Sequence, residues 1–502
     1  MTSLNQTTPS IRSVLFALMM AVFLSALDQT IVAVSMPAIS AQFMDFDLLA
    51  WVISAYMVAL TVAVPIYGKL GDLYGRRNLM LFGLGLFTLA SMFCGMAQSM
   101  EQLVLARIVQ GIGAGGMVSV SQAIIGDIVP PRERGRYQGY FSGMYAAASV
   151  AGPVLGGFMT QYLSWRWVFL INLPLGLIAW WVAKRTLIGL PVPQRKPIID
   201  YRGTLLMIIG LTSLLLGITD IGQGHSWRDT QVIALLGIAL LALVAFVLYE
   251  RRTQEPLLPM HLFANRSAVL CWCTIFFTSF QAISLIVLVP LRFQTVTGGG
   301  ADSAALHLMP LAIGMPMGAY FAGRRTSLTG RYKPLILTGA LLMPVAILGM
   351  AFTPPQSLLL TSLFMVLTGF ASGMQFPTSL VGTQNSVAPR DMGVATSTTN
   401  LFRSLGGAVG VAVMSALLLA MLQRTGLNTA GGTHMGIEGG SGNLLMDSLN
   451  AASGPALQHL RSELALTFRH LMMISAAVSL FGLAAALSMP NALLRGKAHQ
   501  QA

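Results

Sequence analysis

Residues 68–77 read Gly-Lys-Leu-Gly-Asp-Leu-Tyr-Gly-Arg-Arg, a charged turn between two long apolar runs. Glycine lets the backbone turn sharply and lets the ends of the flanking helices come close together. The carboxylate of Asp72 stands among three cations that can pair with it or with helix ends. Because both flanks are apolar, we interpret this turn as a latch at a membrane face. The alternative is an ordinary solvated turn.

The composition is that of a polytopic membrane protein. Charged residues are 9% of the 502 residues and hydrophobic residues are 55%, against roughly 25% and 45–50% in soluble domains. The net charge of +13 would indicate a nucleic-acid partner in a soluble chain. Here the basic residues fall in short loops between apolar runs, so we expect a lipid bilayer and no nucleic acid as the surroundings of this chain.

The three cysteines are Cys94, Cys271 and Cys273, and all of them lie inside apolar runs without a CxxC spacing. An odd number in this arrangement argues against a disulfide framework and against a metal site. We expect them to be inert thiols in the helix packing.

Hydropathy divides the chain into fourteen predicted spans, since a crossing needs about 20 apolar residues. The first run is too long for a signal peptide and contains Asp28, so we interpret it as an uncleaved helix. The predicted spans begin near Val14, Leu49, Asn78, Glu101, Arg136, Trp165, Gly203, Thr230, Ser267, Ser303, Tyr332, Ser357, Met392 and Phe468.

The distribution of basic residues predicts the orientation. An amino terminus in the cytoplasm places most arginines and lysines inside and leaves few outside, such as Arg228 and Arg461. Both terminal segments, 1–13 and 491–502, are then cytoplasmic. Residues 423–466 are rich in Gly, Asn and Ser without a hydrophobic period, so we expect a flexible extracytoplasmic loop there.

The chain also repeats itself at an offset of about 255 residues, which indicates two homologous halves in parallel orientation. The alternative is chance matching of glycines. The predicted parts are a first six-helix bundle (14–186), a linker with two accessory spans (187–266) and a second six-helix bundle (267–490). The matching landmarks are Gly68, Gly75 and Arg76 with Gly323, Gly330 and Arg331, Pro131 and Gly135 with Pro389 and Gly393, and Gly152 and Gly156 with Gly406 and Gly410.

Ionisable residues inside the spans are the candidates for chemistry, because each costs about 2.5–3.5 kcal/mol or more at the bilayer centre. Asp28 and Arg107 lie at similar predicted depth on helices that can adjoin. Desolvation favours a protonated carboxylate and a nearby arginine favours the ionised form, so relative motion of the two can load and release a proton. The alternative is a static buried ion pair. Arg403, near mid-depth in the thirteenth span, is weaker evidence.

Two further sets of residues are predicted to matter. Gly143 and the run Gly152-Pro153-Val154-Leu155-Gly156-Gly157 give the fifth span a small-residue face and a proline-weakened turn; the alternative is tight packing alone. Polar side chains within spans are expected to face protein or water, so they line a substrate cavity or bond neighbouring helices. The cavity candidates are Asp28, Tyr56, Gln110, Gln122, Asn172, Gln281, Gln375, Asn400 and Arg403.

These motifs resemble those of the major facilitator superfamily. The turn with Gly68, Asp72, Gly75, Arg76 and Arg77 is similar to its cytoplasmic-loop motif, Arg107 with Gln110-Gly111 to its fourth-helix motif, and the Gly152–Gly157 run to its antiporter motif. Residues 27–37 and 165–174 are similar to the fourteen-span drug:proton antiporter branch. The second half departs from the pattern, with Ser327 in the place of Asp72 and Met365 near the place of Arg107.

The resemblance implies an all-α membrane protein with two six-helix bundles, two accessory helices and alternating access. It implies multidrug efflux, with antibiotic resistance, of amphipathic, often cationic compounds across a bacterial inner membrane. The proton gradient would drive export without a cofactor, and accessory export proteins are possible partners. The alternatives are a specific metabolite exporter or a proton symporter on the same scaffold, and a membrane sensor or enzyme. No Walker loop, HExxH, nucleophile elbow or CxxC pair supports an enzyme.

Overall fold

The computed structural model describes residues 11–45, 48–190, 199–222, 225–298, 308–354, 356–424 and 454–494. Within these ranges the regular structure is helical, apart from an isolated bridge between Arg331 and Leu493. The long helices are α1 (Ile11–Phe43), α2 (Leu49–Tyr74), α3 (Arg76–Met96), α4 (Met100–Ile128), α5 (Pro131–Tyr162), α6 (Trp167–Thr186), α7 (Tyr201–Gly222), α8 (Thr230–Glu250), α9 (Arg266–Arg292), α10 (Met309–Thr329), α11 (Lys333–Phe352), α12 (Leu358–Ser386), α13 (Met392–Arg424) and α14 (Gly454–Leu487).

Twelve of these helices are long and apolar enough to cross a membrane. The other two, α5 and α10, have 32 and 21 residues and pack against each other. Protein therefore covers part of their surface. A surface covered by protein needs fewer apolar residues than a surface that faces lipid. The chain is a multi-pass membrane protein, and the count of fourteen spans stays a prediction.

The helices form two groups with an accessory pair at the side. Helices α1 to α6 pack among themselves, as do α9 to α14, while α7 packs on α8 and contacts α2 and α13. The two groups meet through α2 with α13, α4 with α13, and α5 with α10. This is the expected architecture of two six-helix groups, and the residue limits assigned to them, 14–186 and 267–490, stay predictions.

The recurring glycines occupy equivalent turns in the two groups. Gly75 has a φ of +85° between α2 and α3, and Gly330 has a φ of +67° at the end of α10. This region of backbone conformation is open to glycine and strained for other residues. The repeat in the sequence therefore reflects a repeated helix–turn–helix connection. We refer to the end of the helices at which residues 68–77 lie as the motif end.

The last helix begins earlier than predicted, at Gly454 and not near Phe468. Residues 454–466 were expected to belong to a flexible loop and instead form the first turns of α14. Leu460 and Leu464 are buried against α9 and α13 with Phe468, at the spacing of one helix face. Residues 425–453 of the predicted loop lie outside the described residues, as do 1–10 and 495–502 of the predicted cytoplasmic segments.

Candidate functional site

A buried ion pair joins α1 to α4. Arg107 donates from Nη1 to Asp28 Oδ2 at 2.5 Å, and the two side chains are 1% and 0% exposed. Both lie in helices that pack closely against each other. Since an isolated charge in such surroundings is very unfavourable, each of these residues depends on the other for its burial.

The second oxygen of Asp28 is also occupied. Its Oδ1 accepts hydrogen bonds from Gln110 Nε2 at 2.9 Å and from Asn172 Nδ2 at 3.0 Å. Both amides also donate to Ser91 Oγ, at 3.1 and 2.9 Å, and Ser91 donates to the backbone oxygen of Phe169 at 2.9 Å. The carboxylate is thus bonded by groups from α4 and α6, and Ser91 adds α3 to the same network.

The arginine is fixed from a further helix. Its Nε donates to the backbone oxygen of Val52 at 3.0 Å, and its Cζ lies 4.0 Å from the centre of the Tyr56 ring. A guanidinium over an aromatic face is favourable by about 2 kcal/mol when desolvated. Both contacts come from α2, so the ion pair and its partners connect α1, α2, α3, α4 and α6.

Sequence reasoning did not select Ser91. It lies in α3 within an apolar run, where a serine usually satisfies its hydroxyl on its own helix. The hydroxyl here connects two amides that contact Asp28. The available signal was only that of a polar residue within a span, which many serines of this chain share.

Residues 68–77 were predicted to form a turn, but only Gly75 lies outside the helices, because α2 continues to Tyr74 and α3 begins at Arg76. This stretch connects the two groups of helices. Asp72 accepts the backbone N–H groups of Gly393 and Val394 at 3.2 and 3.1 Å, and these are among the first residues of α13. A carboxylate at a helix amino terminus satisfies free N–H groups and complements the helix dipole. Asp72 of the first group therefore caps a helix of the second.

Of the three cations in residues 68–77, Arg76 pairs with Asp72. Arg76 donates from Nη2 to Asp72 Oδ1 at 3.0 Å and from Nε to Asp127 Oδ2 at 2.8 Å. Arg77 instead donates to the backbone oxygen of Lys184 at 3.2 Å. Lys69 pairs at 3.1 Å with Glu255, in the segment between α8 and α9. Residues 68–77 thus contact the segment after the accessory helices as well as α13.

Glycines allow the two groups to touch at this end. A Cβ on Gly68 would overlap the side chain of Ser397 in α13, and a Cβ on Gly323 would overlap the backbone oxygen of Gly135 in α5. Backbone atoms cannot move aside without displacing their helix. Close contact at the motif end therefore requires these glycines.

The fifth-helix glycines pack α5 on α1. A Cβ on Gly156 would lie 2.7 Å from the Ile31 backbone oxygen, and one on Gly152 would overlap Thr30. Gly157 and Gly143 are different: a Cβ on Gly157 would meet Val34 at 4.0 Å, and nothing lies within 4 Å of one on Gly143. Pro153 lies on the exposed side of the helix.

The remaining polar candidates bond neighbouring helices. Gln375 accepts from Thr278 at 2.7 Å, and Gln281 donates to the Ser475 backbone oxygen at 2.8 Å. Like Asp28, Tyr56, Gln110 and Asn172, both are at most 2% exposed. In this structure these six side chains bond neighbouring helices and do not line an open cavity, because almost none of their surface is exposed.

Two other candidates meet between the groups of helices. Asn400 donates to Gln122 Oε1 at 2.7 Å, from α13 to α4, and both are buried. Arg403 lies one turn further along α13, is half-buried, and has its Cζ 5.9 Å from the Tyr145 ring of α5. Arg403 is thus the cavity candidate with partly exposed surface.

The sequence profile of the Major Facilitator Superfamily matches residues 18–411. This chain belongs to the Major Facilitator Superfamily. It is therefore a membrane transporter and not an enzyme, which excludes the enzyme alternative.

Relatives and solved structures agree with this assignment. The chain is 37% identical over 405 residues to Multidrug transporter protein MdtP of Bacillus subtilis, covering 80% of this chain and 74% of that protein. It is 34% identical over 409 residues to Multidrug resistance protein 3 of the same species, covering 81% and 80%. The fold of this superfamily member is similar to that of the human organic anion transporter MFSD10, with a TM-score of 0.62 at 16% identity over 94% of this chain and 100% of that one.

Proposed function

We propose that this chain is a proton-coupled multidrug efflux transporter of the fourteen-span drug:proton antiporter branch, and that it exports amphipathic compounds by alternating access. The observation that carries the proposal is the environment of Asp28, a carboxylate with no exposed surface whose two oxygens are bonded to Arg107, Gln110 and Asn172. The names of the Bacillus subtilis relatives support the drug class.

The coupling follows from the number of helices that contact this carboxylate. In this conformation Arg107 at 2.5 Å and two amide donors bond both oxygens of Asp28. A movement of α1 relative to α4 and α6 removes these donors and favours protonation of the carboxylate in low dielectric. Because Asp28 is fully buried here, proton exchange takes place in another conformation of the cycle. That conformation opens a path from water to α1.

Alternating access uses the contacts at the motif end. Asp72 capping α13 and the contact of Gly68 with Ser397 hold that end closed. Rocking of the two groups breaks these contacts and opens the opposite path. In the orientation that the basic residues favour, the motif end is cytoplasmic in a bacterial inner membrane, and the closed form faces outward.

The test uses everted membrane vesicles acidified inside, with the amphipathic dye rhodamine 123 as substrate. Dye addition is expected to release protons from wild-type vesicles and to drive dye uptake into the lumen. Asp28→Asn keeps the shape of the side chain and removes the titratable group, so both signals are expected to disappear. Retained pH-driven uptake by this variant would end the proposal.

A matched control is available in the accessory pair. Asp220 is a buried carboxylate in α7, so Asp220→Asn makes the same chemical change in a predicted membrane helix outside the two six-helix groups. Its dye transport is expected to remain. A proton symporter, the alternative, would take up protons together with dye in the same direction, so the sign of the pH signal separates the two functions.

A further inference from the structure

We propose that the transported compounds include amphipathic anions, with an apolar body and a carboxylate group, and that Arg403 is the cation that receives the carboxylate. This rests on the proposed export function and adds the charge class of the substrate. It differs from the expectation of cationic substrates, which relied on Asp28 contacting the substrate. Both oxygens of Asp28 are occupied by Arg107, Gln110 and Asn172.

The position of Arg403 follows from the contacts along one face of α13. Ser397 lies against Gly68 of α2, and Asn400 donates to Gln122 of α4. Residues three and four apart share a helix face, so Arg403 faces the first group of helices as well. Its aromatic neighbour there is Tyr145 of α5, with the guanidinium carbon 5.9 Å from the ring centre.

The contact between the two groups loosens at this level. Residues 396–400 of α13 are 0–4% exposed, whereas Arg403 is half-buried. The contact between α5 and α10 loosens at the same level. A Cβ on Gly139 of α5 would be 3.6 Å from the backbone oxygen of Ala319 in α10, but one on Gly143 would have no atom within 4 Å. Space between the groups therefore begins near Gly143 and Arg403, on the side away from the motif end.

The charge of Arg403 is uncompensated among the described residues, since no carboxylate of that part of the chain lies within 4.0 Å of its guanidinium. Arg107, by contrast, is neutralised by Asp28. Arg403 is the twelfth of the 33 residues of α13, so it lies about 17 Å from the start of that helix. A cation at such depth is unfavourable in lipid, so it faces protein or a water-filled cavity and marks a candidate substrate pathway. It also repels a cationic substrate.

The surroundings fit the apolar part of such a compound. Tyr145 presents its ring to this site from the opposite group, 5.9 Å from the guanidinium carbon of Arg403. A guanidinium binds a carboxylate through two parallel hydrogen bonds and accepts an aromatic plane against its face. The site therefore suits a flat aromatic or aliphatic body with one carboxylate.

The experiment compares two dyes with one skeleton in proteoliposomes that carry a pH gradient. Fluorescein carries a free carboxylate, and rhodamine 123 is a cationic ester on the same xanthene rings. Wild-type protein is expected to transport fluorescein. Arg403→Gln is expected to reduce this rate by about tenfold to a hundredfold, which is the loss that follows from removing a hydrogen bond to a charged group. Arg403→Lys keeps the charge without the two-pronged geometry, so it is expected to recover part of the rate.

Arg469→Gln is the matched control, because Arg469 also lies against an aromatic ring, that of Phe352 at 4.4 Å, but on the exposed side of α14. This variant is expected to transport fluorescein at the wild-type rate. Thermal unfolding in detergent identifies any variant that fails to fold, and Arg403→Lys then serves as the folded comparison.

The outcomes separate this inference from the proposed function. If rhodamine 123 moves and fluorescein does not, or if Arg403→Gln transports fluorescein unchanged, the assignment of an anion site is wrong while export stands. If the pH gradient drives transport of neither dye, the proposed export function itself is wrong. Loss of fluorescein transport with retained rhodamine 123 transport in Arg403→Gln supports the inference.

Discussion

Asp72 of α2 accepts the backbone N–H of Gly393, the second residue of α13, at 3.2 Å. This hydrogen bond joins residues 321 positions apart and belongs to the cap that the first group of helices places on the second. A cap of this kind contributes about 0.5–2 kcal/mol. Under the proposed alternating access, this contribution is present only in the state with a closed motif end and stabilises that state.

Asp72→Asn is expected to shift the population toward the state with an open motif end, by about fivefold to thirtyfold for a loss of 1–2 kcal/mol. The neutral amide loses both the ion pair with Arg76 and the interaction with the helix dipole. Spin labels at Tyr74 and Leu328, exposed positions on α2 and α10, measure the distance distribution. Ser327→Ala, at the equivalent place in the repeat, is the control that should leave the distribution unchanged.

Gly156→Ala is expected to destabilise the protein by about 1–3 kcal/mol, because the new methyl group meets the Ile31 backbone oxygen at 2.7 Å and forces α5 away from α1. Gly157→Ala, one residue further, has 4.0 Å to Val34 and is expected to be neutral. Thermal unfolding in detergent compares the two variants directly. Equal unfolding temperatures would contradict the close packing of α5 on α1.

Arg107→Gln is expected to cost about 3–5 kcal/mol, since it leaves the carboxylate of Asp28 buried without a counter-ion. The double variant Asp28→Asn with Arg107→Gln removes both charges and is expected to recover most of the unfolding temperature. Proton-driven transport should be absent in the double variant, because Asp28 is replaced and no group remains to carry the proton. Additive losses of stability in the double variant would argue against a coupled pair.

Ser91→Ala is expected to destabilise the protein by about 1–3 kcal/mol, because the amides of Gln110 and Asn172 lose a shared acceptor inside the helix packing. Proton-driven dye transport should fall together with stability, since both amides hold Asp28. Thr88→Val on the same helix is the comparison: its hydroxyl donates to the Leu84 backbone oxygen one turn earlier. A loss in Thr88→Val as large as in Ser91→Ala would remove the specific role of Ser91.

Part of the candidate site was accessible from the sequence. Asp28 and Arg107 stand out because charges within apolar spans are rare, and equal depth on two helices suggested that they meet. The glycines at 68 and 323 stand out because they recur at a fixed offset. The start of α14 at Gly454 was missed because Arg461 and Glu463 interrupt the apolar run, although leucines continue on the other face of the helix.

The sequence by itself determined that the chain is a helical membrane protein built from two similar halves, because hydropathy and spacing are local properties of the chain. The tertiary structure decided which polar groups meet. Residues such as Gln122 and Asn400, or Asp72 and Gly393, are hundreds of positions apart, and only the packing of helices sets their distances. The same packing surrounds Asp28 with hydrogen-bond donors and leaves Arg403 without a counter-ion in the described part of the chain. Burial and ion pairing both depend on which helix faces are in contact.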